Sequence, residues 1–172
     1  VKRLQPVTTT KESRGAAEDN DRNVEFYTER LQRHGMSVAS LNWGSRESQQ
    51  NRFAALAGIA VLRGCSVLDV GCGLGDFLAW FQQRAITVDY TGIDLTPGMI
   101  EACQARFPSA RFLICDLLDP GNPLSQAHEQ FDYVFASGIF YLRTHEPRQY
   151  LESMIAAMAA LARRGLAFNS LS

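Results

Sequence analysis

Residues 66–77 read Ser-Val-Leu-Asp-Val-Gly-Cys-Gly-Leu-Gly-Asp-Phe, and no other stretch constrains the fold as much. A short apolar run ends in glycines at 71, 73 and 75, and a helical pattern follows at once. The run has the character of a strand buried on both faces. Alternate glycines permit a tight turn and let the backbone approach a ligand where a Cβ would collide. The following helix offers unpaired N–H groups at its start, which suit a polar or anionic group of a nucleotide-like ligand. A dinucleotide fingerprint is spaced G-x-G-x-x-G, but here the third glycine comes one residue early. Asp69 also stands two residues before Gly71, in an otherwise apolar strand end. A dinucleotide has no need of a carboxylate there, whereas a ligand with an ammonium and a sulfonium has. The alternative for Asp69 is a structural carboxylate bonded to backbone.

The rest of the chain alternates strands and helices around this segment. Residues 1–19 are polar and read as a flexible lead, and residues 20–64 as two helices. Val24, Tyr27 and Leu31 recur at helical spacing ahead of Gly35; Phe53, Leu56, Ala57, Ala60 and Val61 form a second apolar face ahead of Gly64. From residue 65 to 172 the pattern predicts strands at 66–70, 90–94, 111–115, 131–136 and 166–171. Helices are expected over 74–84, 97–107 and 147–164, with Pro97 in a first turn and Gly165 breaking the last. Residues 117–130, with Pro120, Gly121 and Pro123, suit a loop holding at most one short helix. Such alternation means an α/β, doubly wound parallel sheet with right-handed crossovers.

Composition excludes several classes of function. Seventeen basic and eighteen acidic residues leave a net charge of −1, which argues against an electrostatic nucleic-acid binder. The longest apolar run, residues 154–162, is far too short to span a membrane, and the polar N-terminus has no signal-peptide core. Cys65, Cys72, Cys103 and Cys115 show no zinc-ligand spacing and lie in or beside apolar stretches. They read as reduced, buried thiols, consistent with a cytoplasmic setting.

Two further carboxylates follow strand ends. Asp94 closes the second strand, 23 residues after Gly71, where it can accept two hydrogen bonds from a ribose diol or simply start the next helix. Asp116 and Leu117 follow the third strand, a position that suits an adenine edge, although Asp119-Pro120-Gly121 shows that the region turns anyway. Ser137 follows the fourth strand at the mouth of the crevice where open α/β sheets bind ligands.

Together, D-x-G-x-G-x-G after strand one, the acid ending strand two, Asp after strand three and Phe131-Asp132-Tyr133-Val134 at strand four resemble class I S-adenosylmethionine (SAM) dependent methyltransferases, over residues 20–172. The resemblance implies a Rossmann-like sheet in the order 3-2-1-4-5, with SAM as cofactor and S-adenosylhomocysteine as product. It implies that Asp69, Gly71, Cys72, Gly73 and Gly75 line the methionine half. Asp94 would hold the ribose and Leu95 pack near the adenine. Asp116 and Leu117 would meet the adenine, and Ser137 would lie near the transferable methyl. Arg46, upstream of strand one, would pair with the SAM carboxylate, with Trp43 capping the same pocket. Tyr141 and His145 are the candidates for a base or substrate contact.

The family's sheet has seven strands, and this chain reads as stopping at the fifth. A longer parent, or association through the strand-five edge, would cover Leu166, Phe168 and Leu171. No metal-ligand cluster is visible, so no metal requirement is expected. The [ND]-P-P-[YF] motif of nucleic-acid amino methylation is absent, since Ala136-Ser137-Gly138-Ile139 stands there. A small-molecule acceptor follows as the expectation. Protein or RNA stays open as an acceptor, and a SAM/nucleotide-binding or partner-binding module without turnover, and an NAD-dependent oxidoreductase, are the alternatives.

Overall fold

The computed structural model describes residues 11–140 and 144–170. The helices are α1 (Lys11–His34), α2 (Arg46–Ala57), α3 (Asp76–Gln83), α4 (Pro97–Arg106), α5 (Pro123–Gln126) and α6 (Pro147–Leu161). The strands are β1 (Ser66–Val70), β2 (Asp89–Asp94), β3 (Arg111–Ile114), β4 (Phe131–Ser137) and β5 (Ala162–Asn169). All four strand pairings are parallel and the order is β3-β2-β1-β4-β5, the order expected. The direction of winding reverses between β1 and β4, so a crevice opens beyond their C-terminal ends.

Period-2 alternation assigns the side chains of β1 to two cores. Val67 joins an aromatic layer with Phe53, Phe77, Phe81 and Phe135. Leu68 and Val70 join an aliphatic layer with Ile93, Val134, Met154 and Met158. Asp69 shares the Val67 face and is therefore carried into the aromatic layer, beside Tyr90. On α3, Phe77 stacks on Phe53 at 4.7 Å and on Phe81 at 4.5 Å. These rings fasten the glycine turn to α2 and the sheet.

Element ends follow local chemistry. Gly35, at φ 60°, stops α1 with its N–H on the Leu31 carbonyl at 2.9 Å. Ser45 caps α2, accepting from the Ser48 N–H at 3.0 Å. Asn122 caps α5 in the same way, accepting from the Ser125 N–H at 3.0 Å. The four cysteines are free and buried. Among the described residues no helix is long and apolar enough to cross a membrane.

Three expectations change. Residues 11–19, read as flexible lead, are the first turns of α1, because Asp19 is buried against the segment after β4 and anchors the helix. The second helix stops at Gly58, whose N–H returns to the Ala54 carbonyl, so the helical phase is lost and Val61 is exposed while Leu62 is buried. The last helix ends at Leu161 rather than residue 164. Ala162 turns to φ −91°, ψ 122°, and β5 begins there, pairing Ala162 with Phe131. Gly165 lies inside β5 opposite Tyr133, where a Cβ would sit 3.4 Å from the tyrosine ring.

Candidate cofactor site

The crevice beyond β1 and β4 is a cleft floored by the glycine turn and roofed by α1. Its glycines are required by geometry. Gly71, Gly73 and Gly75 have φ of 72°, 54° and 71°. A Cβ would fall 2.3 Å from Ile139 Cγ2 at Gly71 and 2.5 Å from Leu41 Cδ2 at Gly73. Gly71, Cys72 and Gly73 line the cleft. Gly75 does not. It caps α3, and its close neighbours are Phe107 and Cys103 in the aromatic core. The third glycine of the motif thus serves helix packing rather than ligand approach.

Asp94 ties the turn to the second strand. Its Oδ2 accepts from the Gly73 N–H at 2.9 Å and its Oδ1 from the Thr96 N–H at 2.8 Å. One carboxylate therefore fixes both loops that face the cleft. Burial pushes its carboxyl upward, and the Thr96 and Gly73 bonds oppose that rise. Asp69 is 3% exposed and accepts from the Tyr90 hydroxyl at 2.5 Å. Burial raises it from 3.8 to about 7, the Tyr90 bond pulls the other way, and the nearby Asp94 and Asp76 push further up. The Cys72 thiol is raised well above its ordinary value, first by burial and then by Cys103. Cys103 in turn donates to the Gly73 carbonyl at 3.1 Å.

Asp116 closes the far end. Its Oδ1 accepts from the Leu118 N–H at 2.9 Å, and its Oδ2 from Asn20 Nδ2 of α1 at 2.7 Å. Leu95, Leu117 and Ser137 line the same cleft, and the Ser137 hydroxyl accepts from Asn169 Nδ2 at 3.1 Å. Trp43 also reaches the cleft, with the Arg52 guanidinium 5.0 Å from its ring centre.

Other expected site residues stand elsewhere. Arg46 is exposed at the first position of α2 and does not line the cleft. Gln49 and Phe53 of that helix do; Gln49 is 1% exposed and donates to Asp76 Oδ2 at 3.1 Å. A helix start beside Ser45 turns position 46 outward and position 49 inward. Tyr141 lies outside the described residues. His145 does not line the cleft either: its Nδ1 is 2.7 Å from Asp19 Oδ1, and its backbone N–H donates to Asp19 Oδ2 at 2.8 Å.

Asn20, Asn23, Tyr27, Gln49, Tyr150 and Met154 line the cleft without having been marked by the sequence. Asn20 carried no motif, and Tyr150 and Met154 read as ordinary positions of a helical pattern. Burial, with Asp116 and Asp94 nearby, pushes the Tyr150 hydroxyl upward. Four carboxylates line the cleft, namely Asp69, Asp76, Asp94 and Asp116; among the described residues no Lys, Arg or His does.

A methyltransferase-domain family model matches residues 67–164, more than half of the chain, from β1 into the start of β5. The chain belongs to the methyltransferase-domain family. It is 34% identical over 114 residues to Rv1506c of Mycobacterium tuberculosis, whose name assigns it to the methyltransferases, covering 62% of this chain and 63% of that protein. It is 31% identical over 98 residues to trans-aconitate 2-methyltransferase of Escherichia coli, covering 56% and 37%. The chain thus spans under two thirds of either relative. Magnesium protoporphyrin IX methyltransferase of Synechocystis, solved with bound S-adenosylhomocysteine, superposes with a TM-score of 0.65 over 87% of this chain and 71% of that one. At 20% identity, that likeness establishes the fold. The five-stranded order is the one expected of the class I fold, and the family match makes this a methyltransferase domain.

Proposed function

We propose that the chain binds SAM in this cleft and transfers its methyl group to a small-molecule acceptor. The observation that carries the reading is Asp94, held by Gly73 and Thr96 at the end of β2 and facing the cleft beside the glycine turn. A carboxylate anchored on both sides is preorganised to accept from a ribose diol without moving. The donor set suits the rest of the cofactor. The carboxylates of Asp76, Asp94 and Asp116 favour a ligand with a sulfonium and an ammonium. Asp116 has an oxygen turned to an amino donor, as adenine requires. The small-molecule acceptor is supported by relatives named for trans-aconitate and magnesium protoporphyrin.

When bound, the cofactor supplies an activated methyl group on sulfur, displaced in line by the acceptor. The chain's residues have to hold and align, and that work is mainly positional. Asp94 and Asp116 would orient the ribose and the adenine of the nucleoside, and the Gly71–Gly73 turn admits close approach. Ser137 and Ile139, at the end of β4 and just beyond, flank the crevice mouth from which an acceptor would enter.

Calorimetric titration with SAM, with S-adenosylhomocysteine and with NAD tests the reading. Micromolar binding of the first two and none of NAD is expected. Binding of NAD in preference to both would overturn it.

A further inference from the structure

Asp19 and Asn20 are neighbours on α1 that reach in two directions. Asp19, 6% exposed, binds the His145 backbone N–H and ring Nδ1 in the segment between β4 and α6. Arg22, a turn later, stands 3.5 Å from the same carboxylate. A buried carboxylate is costly unless paired, so these contacts pin α1 at this point. Asn20 is thereby held over the opposite bank, where its Nδ2 donates to Asp116 Oδ2 at 2.7 Å. A carboxamide carries an –NH₂ donor beside an acceptor, the same pair that adenine shows at its 6-amino edge.

We propose that Asn20 is a specificity-determining gate for the adenine end of the cleft. Its carboxamide stands on the Asp116 oxygen that the adenine amino group takes, and the cofactor enters by exchanging one amino donor for another. This rests on the adenine assignment of Asp116 made above. The exchange has a thermodynamic signature. With Asn20 present, the Asp116–adenine bond is gained only as the Asp116–Asn20 bond is lost, so Asp116 contributes little net affinity. Without Asn20, the full value of a bond to a charged acceptor is exposed. A purine with an oxo group in place of the amine cannot make the exchange, which gives the gate its selectivity.

The test is a double-mutant cycle on S-adenosylhomocysteine affinity, using Asn20→Ala, Asp116→Ala and the pair. Alanine suits a helix interior, so Asn20→Ala is expected to fold. Asn20→Ala is expected to tighten binding about threefold to tenfold, by removing the competing bond. Asp116→Ala is expected to cost under about threefold in the native background but about tenfold or more in the Asn20→Ala background. An equal cost of Asp116→Ala in both backgrounds would overturn the gate while leaving the adenine assignment standing. A cost under about threefold in both would overturn the adenine assignment itself. Weaker binding by Asn20→Ala would also overturn the gate, since Asn20 would then be a direct contact of the bound cofactor.

Discussion

Asp69→Asn is the perturbation whose outcome is most tightly set by the structure. Asp69 sits in the aromatic layer at 3% exposure, and burial raises its carboxyl from 3.8 to about 7. The unfolded chain titrates this group near its ordinary value of about 3.9, so between about pH 4 and pH 7 the folded protein holds a proton that the unfolded chain has lost. The folded state binds more protons there, and stability falls as pH rises across that window and is flat above it. At 1.36 kcal/mol per pH unit, the rise from 3.8 to about 7 costs about 4 kcal/mol above pH 7. Asparagine is near in shape and keeps an acceptor for the Tyr90 hydroxyl, but carries no charge to bury. The variant should match the native protein within about 1 kcal/mol at pH 4 and exceed it by about 2–4 kcal/mol at pH 8, allowing for a weaker hydrogen bond to a neutral acceptor. Urea unfolding from pH 4 to pH 8, with the slope m unchanged, measures the difference directly. A native-to-variant difference that stays constant between pH 5 and pH 8 would refute the argument that Asp69 is a carboxylate destabilised by its burial.

The remaining predictions concern the cleft and its scaffold. Asp94→Ala removes the acceptor for both the Gly73 and Thr96 N–H groups and for a ribose, and should weaken SAM binding by about 2–4 kcal/mol, roughly 30- to 1000-fold by calorimetry; a change below about threefold would mean the ribose assignment is wrong. Gly75→Ala forces φ 71° on a residue with a Cβ, which would lie 2.8 Å from Phe107 Cε2, and should cost about 1–3 kcal/mol in chemical denaturation. A native unfolding midpoint in that variant would contradict the close packing of α3 on Phe107. Arg46→Ala should leave SAM affinity unchanged, because Arg46 is exposed and away from the cleft; a tenfold loss would return it to the site.

Local chemistry explains why much of the site could be read from the chain. Glycines at 71 and 73 are the residues that tolerate positive φ and a close neighbour, so their spacing announces the turn in any context. Asp94 and Asp116 follow strands, and in a parallel sheet every strand end points to the same edge. Arg46 and Gly75 went the other way for a shared reason. Position in sequence says which element carries a residue, while the side of the element facing the cleft depends on how α2 and α3 are rotated against the sheet. Gln49 and Gly75 show where that rotation fell.

The parallel pairing and the glycine turn are consequences of alternation, crossover connection and backbone sterics, short-range rules written in the order of residues, whereas the strand order was implied by the family resemblance. The roof of the cleft is of another kind. Nothing local marks Asn20, 96 residues before Asp116, or Asp19, 126 residues before His145. Those contacts form only when α1 packs across the sheet edge, because a polar side chain's partner is chosen by which groups tertiary packing leaves within reach and out of water.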